Sequence, residues 1–316
     1  MPRTRHAAAS IPWNRRRGLE MSARLTRWRP RVGLAPIAWF AIALYVAFLL
    51  FPIAQSVATS LTDRNPLKAE SAFVGLDNYF RLFSDPRLAS SLRFTLIVVV
   101  AVTVVANVIG LLFAMLLDRP TAGYRVMRTI IFIPQVLSGV IVAFIWRTIL
   151  TQNGLLNSTL LGVGVIDRPV SWIGTPELAT FSICVVVIWT TIAFATVVYT
   201  ASLQSVPSEL YEAARMDGAG ALDRFRNVTL PMIAPGMTIS VVLCLITTFK
   251  LYDIIAVLTG GGPANTTQST AFYLITVAFT NNRFGYASAI AIFLLLLTAV
   301  SAYGLTALLR RREARL

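Results

Sequence analysis

The sequence predicts a polytopic all-α membrane protein with six transmembrane helices, and three observations predict it. Of its 316 residues, 56% are hydrophobic and only 13% charged, with a mean hydropathy of +0.70, which is more apolar surface than a water-soluble domain can cover. Six long, nearly uncharged runs are each able to cross a hydrocarbon layer of about 30 Å, which takes roughly 20 helical residues. The runs do not alternate in polarity, so they are helices and not barrel strands, because backbone amides in lipid pair within their own segment.

The first run covers residues 34–60 and follows a basic tail, 1–31. A cleaved signal peptide is the competing reading, since Val57-Ala58-Thr59 are small, but the run is too long for a signal-peptide core and five more follow. Met21 is an alternative start to Met1, because residues 21–31 alone supply basic flanking. Residues 61–91 form an outside loop with four basic and four acidic residues, in which Phe73 to Phe80 fits a short interfacial helix. Runs two and three cover residues 92–117 and 129–150, joined by the short basic turn 118–128. Residues 151–177 carry turn signals at Asn153-Gly154, Arg168-Pro169 and Gly174-Thr175-Pro176, and lead into run four, 178–203. After the polar but helically patterned stretch 204–230 come run five, 232–259, an outside loop opening with Gly260-Gly261-Gly262-Pro263, and run six, 287–309. Residues 32–316 thus form one six-helix domain behind the tail.

The net charge of +14 sorts by topology. With the N-terminus inside, the inner segments hold 19 of the 28 Lys and Arg, so the positive-inside rule places both termini in the cytoplasm. The basic tail abuts the first span as a topology anchor, which argues against nucleic acid as a partner and for membrane lipid. Cys184 and Cys244 lie in separate spans and the single histidine, His6, in the tail, so neither a disulfide framework nor a metal site is expected.

Residues 204–230 carry most of the functional information. Pro207 suits a first helical turn, Glu209 and Glu212 complement the positive end of a helix dipole, and Gly218 suits a helix stop. A helix of about ten residues is marginal alone in water and therefore docks on something. Ala213-Ala214 let another surface approach closely, with Leu210 beside them; after the glycine, Leu222, Phe225 and Val228 recur every three residues, as in a helix-turn-helix knob. A helix lying on anionic lipid would carry a basic polar face, whereas Glu209, Glu212, Asp217 and Asp223 outnumber Arg215, Arg224 and Arg226. A protein partner is favoured.

The ordered pattern Glu212-Ala213-Ala214, Asp217-Gly218-Ala219, Phe225, Val228, Leu230 and Pro231 resembles the EAA signature of permease subunits of binding-protein-dependent ABC importers. Ile133-Pro134, the run Leu258 to Pro263 and Phe284-Gly285-Tyr286-Ala287 are similar to its maltose-type sugar branch. The resemblance implies a type I importer permease fold in a bacterial inner membrane and a coupling loop at 204–230 that seats in a groove of an ATPase subunit. It also implies a second homologous permease, two ATPase subunits, an extracytoplasmic solute-binding protein and a sugar or sugar-like solute. No G-x-x-x-x-G-K-[ST] occurs, so the chain binds no ATP itself; no cofactor is expected in it, ATP and Mg belonging to the partner ATPases, and it is not expected to be an enzyme.

A sugar route needs hydroxyl-matching groups and aromatic surface around a water-filled cavity. The candidates are Gln135 in run three, Thr190, Thr191 and Phe194 in run four, and Thr247, Lys250 and Asp253 in run five. The resemblance implies that positions near Gln135, Thr190, Phe194 and Lys250 contribute to the solute cavity. Lys250 and Asp253, spaced i,i+3, alternatively bridge each other on one helix face; a solute contact by Lys250 would favour an anionic or phosphorylated sugar. For Asn107, Ser138 and Thr248 interhelical hydrogen bonding is the expected role. An ion-coupled secondary transporter is the alternative function class; only Asp253 is a candidate coupling carboxylate, and no internal repeat is visible. A membrane-embedded enzyme lacks any intramembrane His or paired-carboxylate constellation.

Overall fold

The computed structural model describes residues 34–117 and 122–313; the tail 1–31, the choice of Met1 or Met21 and the end of the chain lie outside the described residues. Among the described residues the regular structure is helical, apart from an isolated bridge between Thr62 and Phe73. The chain divides into two compact units, Met1–Ala54 and Gln55–Leu316. The described residues of the first, 34–54, belong to an apolar helix that starts at Leu34 and contains a π-type stretch, Val46–Leu50. This helix, α1, runs to residue 60.

In the second unit, α2 (Asp77–Ser84) is the short helix expected near residues 73–80. The crossing helices are α3 (Pro86–Leu116), α7 (Pro176–Gln204), α9 (Ala221–Phe249) and α12 (Phe284–Glu313), each apolar and long enough for a bilayer. Asp85 and Thr175 start α3 and α7 by accepting hydrogen bonds from first-turn amides, each just ahead of a proline in the first turn. Between α3 and α7 the backbones come close: a Cβ on Gly110 would stand 2.5 Å from the Cβ of Ala195. Small residues facing each other allow such packing where lipid offers no hydrophobic drive between helices. The core is the layer where Phe94, Val98 and Val102 of α3 meet Ile183 and Val186 of α7.

The third apolar run is not one straight helix. It is a pair, α4 (Ala122–Val136) and α5 (Gly139–Ile149), bent by 101°. Pro134 lacks an amide hydrogen and its ring crowds the preceding turn, so the helix ends two residues later; Ser138 then restarts it, its hydroxyl accepting from the amide of Ile141 at 3.4 Å. The fifth run also departs from expectation. The helix stops at Phe249, and α10 (Asp253–Leu258) begins after a tight turn. Thr247 and Thr248 direct their hydroxyls back to Leu243 and Cys244 carbonyls at 2.9 and 2.8 Å, a habit that loosens the ladder just before the stop. Two further helices lie in the connections that follow α5 and α10: α6 (Leu155–Gly162) and α11 (Thr270–Thr280). The remaining helix, α8 (Ser208–Met216), lies between α7 and α9.

Candidate functional site

The two helix breaks open a cavity of about 330 Å³. Gln135 enters it from the last turn of α4, Thr190, Thr191 and Phe194 from α7, Thr247 and Thr248 from the end of α9, with Val187, Leu243, Leu251 and Ile254 completing the wall. Thr190 is 14 residues from either end of α7, so the cavity lies halfway along the bundle, roughly 21 Å from each end at 1.5 Å per residue. Five of the seven predicted pathway residues, Gln135, Thr190, Thr191, Phe194 and Thr247, therefore share one space.

Its polar chemistry is asymmetric. Thr190 and Thr191 donate to the Val187 carbonyl at 2.9 and 2.7 Å, and Thr247 donates within its own helix, so these oxygens face the cavity with only acceptor capacity left. Gln135, exposed in the chain, is the lining side chain that both donates and accepts. Phe194 supplies the aromatic face. A polyhydroxylated ligand would find acceptors on the threonines, a bifunctional amide on Gln135 and one ring to stack on.

Lys250 and Asp253 do not bridge each other, contrary to the i,i+3 expectation, because the helix ends between them. Lys250 caps α9 and lines a separate space. Asp253 opens α10 and lies against the start of α5: a Cβ on Gly139 would stand 1.8 Å from the carboxylate Oδ2. A helix start carries partial positive charge from its unpaired amides, which is the compensation a carboxylate needs there.

The second candidate region is the connection through α8. Gly218 has φ +78°, a left-handed conformation suited to glycine, and the turn is closed by Ala219 donating to the Ala214 carbonyl at 2.9 Å. Arg224 donates to the Ala219 carbonyl at 3.1 Å, and the Asp223 carboxylate accepts from the Gly220 amide at 3.3 Å. The Tyr211 and Thr229 hydroxyls are hydrogen-bonded at 3.1 Å, holding α8 against the base of α9. The expected second short helix is not separate. Leu222, Phe225, Val228, Leu230 and Pro231 all belong to α9, which passes through a π-type stretch, Phe225–Thr229, without a break. Glu212, Ala213, Asp217 and Gly218 are exposed and Ala214 and Ala219 half-buried; Met216 is 89% and Leu222 59% exposed. Apolar side chains standing clear beside small ones form a surface without a partner in this chain.

Two polar clusters escaped the sequence reading in detail. Asn107 was expected to bond between helices; its Oδ1 accepts from Tyr199 at 2.9 Å and Ser240 at 2.6 Å, joining α3, α7 and α9, but neither partner was identifiable from spacing. At the α3 start, Asp85 Oδ2 accepts from Tyr273 and Tyr286, both at 2.7 Å, so α11 and α12 are clasped to α3. Burial raises the Asp85 carboxyl, but those two hydroxyls and the amides of Leu88 and Arg87 together outweigh it and hold it below its ordinary value. Among the described residues no cluster of His, Cys, Asp and Glu could hold a metal.

Comparison with known proteins places this geometry. The profile described as "Binding-protein-dependent transport system inner membrane component" matches residues 106–315. The chain is 32% identical over 271 residues to the probable starch degradation products transport system permease protein AmyD of Thermoanaerobacterium thermosulfurigenes, covering 86% of this chain and 91% of that one. It is 34% identical over 266 residues to the trehalose/maltose transport system permease protein MalF of Thermococcus litoralis, covering 83% and 89%. Among solved structures, a bacterial ABC transporter involved in the import of the acidic polysaccharide alginate has a chain of the same fold, with a TM-score of 0.75 at 23% identity over 90% of this chain and 95% of that one.

Proposed function

Because the chain belongs to the family of binding-protein-dependent transport system inner membrane components, and is a multi-pass plasma-membrane permease of an ABC importer, we propose that it passes a sugar or sugar-like solute through the cavity at Gln135, Thr190, Thr191, Phe194 and Thr247. Its relatives are permease components and not enzymes, and the ion-coupled alternative has no support among them. The observation that carries the proposal is the convergence of one amide, four threonines and one aromatic ring on a single mid-bundle cavity. Relatives named for starch degradation products and for trehalose/maltose support the solute class.

Energy enters through α8. Its exposed surface, with Glu212, Ala213, Met216 and the Gly218 turn, fits a groove on a separate ATPase subunit that holds ATP and Mg, and the partner set is completed by a second permease, a second ATPase and an extracytoplasmic solute-binding protein. In this reading both termini are cytoplasmic, and the positive charge of Arg310, Arg311 and Arg312 at the end of α12 supports that orientation. ATPase closure then biases the helices between two arrangements around the cavity. ATP-dependent, vanadate-sensitive uptake of saccharides into proteoliposomes containing the reconstituted complex tests the reading; accumulation driven by an ion gradient without ATP would overturn it.

A further inference from the structure

Arg93 and Glu177 line one cavity, and neither charge is balanced within the chain. The cavity, of about 440 Å³, opens near the starts of α3 and α7, at the end of the bundle away from α8. Both side chains are exposed, and among the described residues neither has an ion-pair or hydrogen-bond partner. Arg93 is the second residue of the apolar run 92–117, and Glu177 is the last residue before the run 178–203. Opposite charges are thus held apart at the level where hydrocarbon gives way to headgroups, a depth at which long charged side chains seek water or a counter-charge. In the proposed orientation this is the outer leaflet.

The rest of the wall sorts by chemistry. Thr180 donates its hydroxyl to the Pro176 carbonyl and Thr266 to the Pro263 carbonyl, both at 2.7 Å, so each offers the cavity only acceptor capacity. With the Glu177 carboxylate they make an acceptor set suited to an ammonium group, while the Arg93 guanidinium has the forked donors that match a phosphate. Below Arg93 the wall turns apolar. Ile97 is 47% exposed, and Val100 and Val104, 63% and 57% exposed, continue it along the same face of α3. That face offers an acyl chain a continuous path from the cavity toward the membrane centre.

We propose that this cavity binds a zwitterionic phospholipid with a primary amine, phosphatidylethanolamine, with its phosphate on Arg93, its ammonium on Glu177 and an acyl chain along Ile97, Val100 and Val104. The wall discriminates against the other common headgroups. A quaternary ammonium has no N–H to give to Glu177 and the threonines and is held instead by aromatic cages, whereas the ring here is the buried Phe94, 4% exposed. A glycerol headgroup brings no cation and leaves Glu177 unmatched. The site is distinct from the mid-bundle cavity and does not depend on which solute passes through it.

The intact importer, with its second permease and ATPases, is exchanged into lipid-free detergent and given dioleoyl phosphatidylethanolamine, phosphatidylcholine or phosphatidylglycerol in mixed micelles. Bound lipid is counted by native mass spectrometry and melting temperature is read in parallel. Phosphatidylethanolamine is expected to be retained at concentrations roughly tenfold lower than the other two and to raise the melting temperature. Arg93→Gln and Glu177→Gln should each weaken that retention about tenfold, as expected for loss of one charge-assisted contact. Equal retention of the three lipids overturns the proposal, as does undiminished retention of phosphatidylethanolamine in Glu177→Gln. Loss of the second permease from Arg93→Gln complexes also overturns it, because the cavity is then a subunit contact. Competition by water-soluble glycerophosphoethanolamine at the same concentration as the lipid would show a soluble ligand in the lipid's place and overturn it equally. The wild-type comparison of the three lipids decides the matter even where a variant assembles poorly.

Discussion

The hydroxyls of Tyr211 and Thr229 lie 3.1 Å apart, one on the short helix α8 and the other near the base of the long helix α9. Thr229 is buried and Tyr211 half-buried, so the bond is a fixed strut between the exposed α8 surface and a helix that lines the cavity. Tyr211→Phe removes it at a stability cost of about 1 kcal/mol. Saccharide uptake is expected to fall roughly two- to fivefold, on the order of that energy, while ATP hydrolysis by the assembled complex falls less. Measuring both rates in one proteoliposome preparation checks this, and a parallel decline would contradict the strut.

Gly218→Val forces a β-branched residue to φ +78°, a conformation costing roughly 1–3 kcal/mol for such a side chain. The turn after α8 should open and the ATPase subunit should no longer co-purify. Full retention of the ATPase on an affinity column would show that α8 is not its seat.

Gln135→Ala leaves the cavity wall without its bifunctional amide. Losing one or two neutral hydrogen bonds of about 1 kcal/mol each raises the KM for solute between five- and thirtyfold. Protein yield and melting temperature should stay close to wild type, since Gln135 is exposed and outside the packed core.

At Gly110 a valine would drive its Cβ to 2.5 Å from that of Ala195. Overpacking of this kind costs about 1–3 kcal/mol, and a lowered melting temperature in detergent is the expected readout. Gly110→Ala should show a smaller drop in the same direction.

Acid should loosen the outer clasp at Asp85. Its carboxyl is held below the ordinary carboxylate value, so the ionised form stabilises the fold; that contribution is complete above the unfolded-state value and is lost as pH falls through the lower folded-state value. Melting temperature measured from pH 6 down to pH 2.5 should fall more steeply for wild type than for Asp85→Asn, which starts lower and lacks the titrating group.

The crossing helices were legible because lipid imposes a length and a composition, and α1, α3, α7 and α12 obey both. The EAA-like stretch was legible too, since Pro207, Gly218 and the alanines act locally. What escaped was decided by tertiary contact. The 101° bend after Pro134 was foreshadowed by one proline inside an otherwise unbroken run, and the end of α9 at Phe249 is marked only by two threonines. Lys250 and Asp253 looked like a pair because a continuous helix was assumed between them; once it breaks, the carboxylate goes to the start of α5. The Asp85 clasp joins residues 188 and 201 positions apart, a relationship no local pattern encodes.

The corner between Val136 and Gly139 bears on what fills the protein at rest. Where α4 ends and α5 sets off in another direction, the last carbonyls of one and the first amides of the other have no ladder partners. Inside a bilayer such groups hold water unless side chains take its place. Here the Ser138 hydroxyl accepts from the Ile141 amide and the Asp253 carboxylate lies against the start of α5, so the break keeps polar groups at membrane depth beside Gln135, where a solute can trade its hydration for hydrogen bonds.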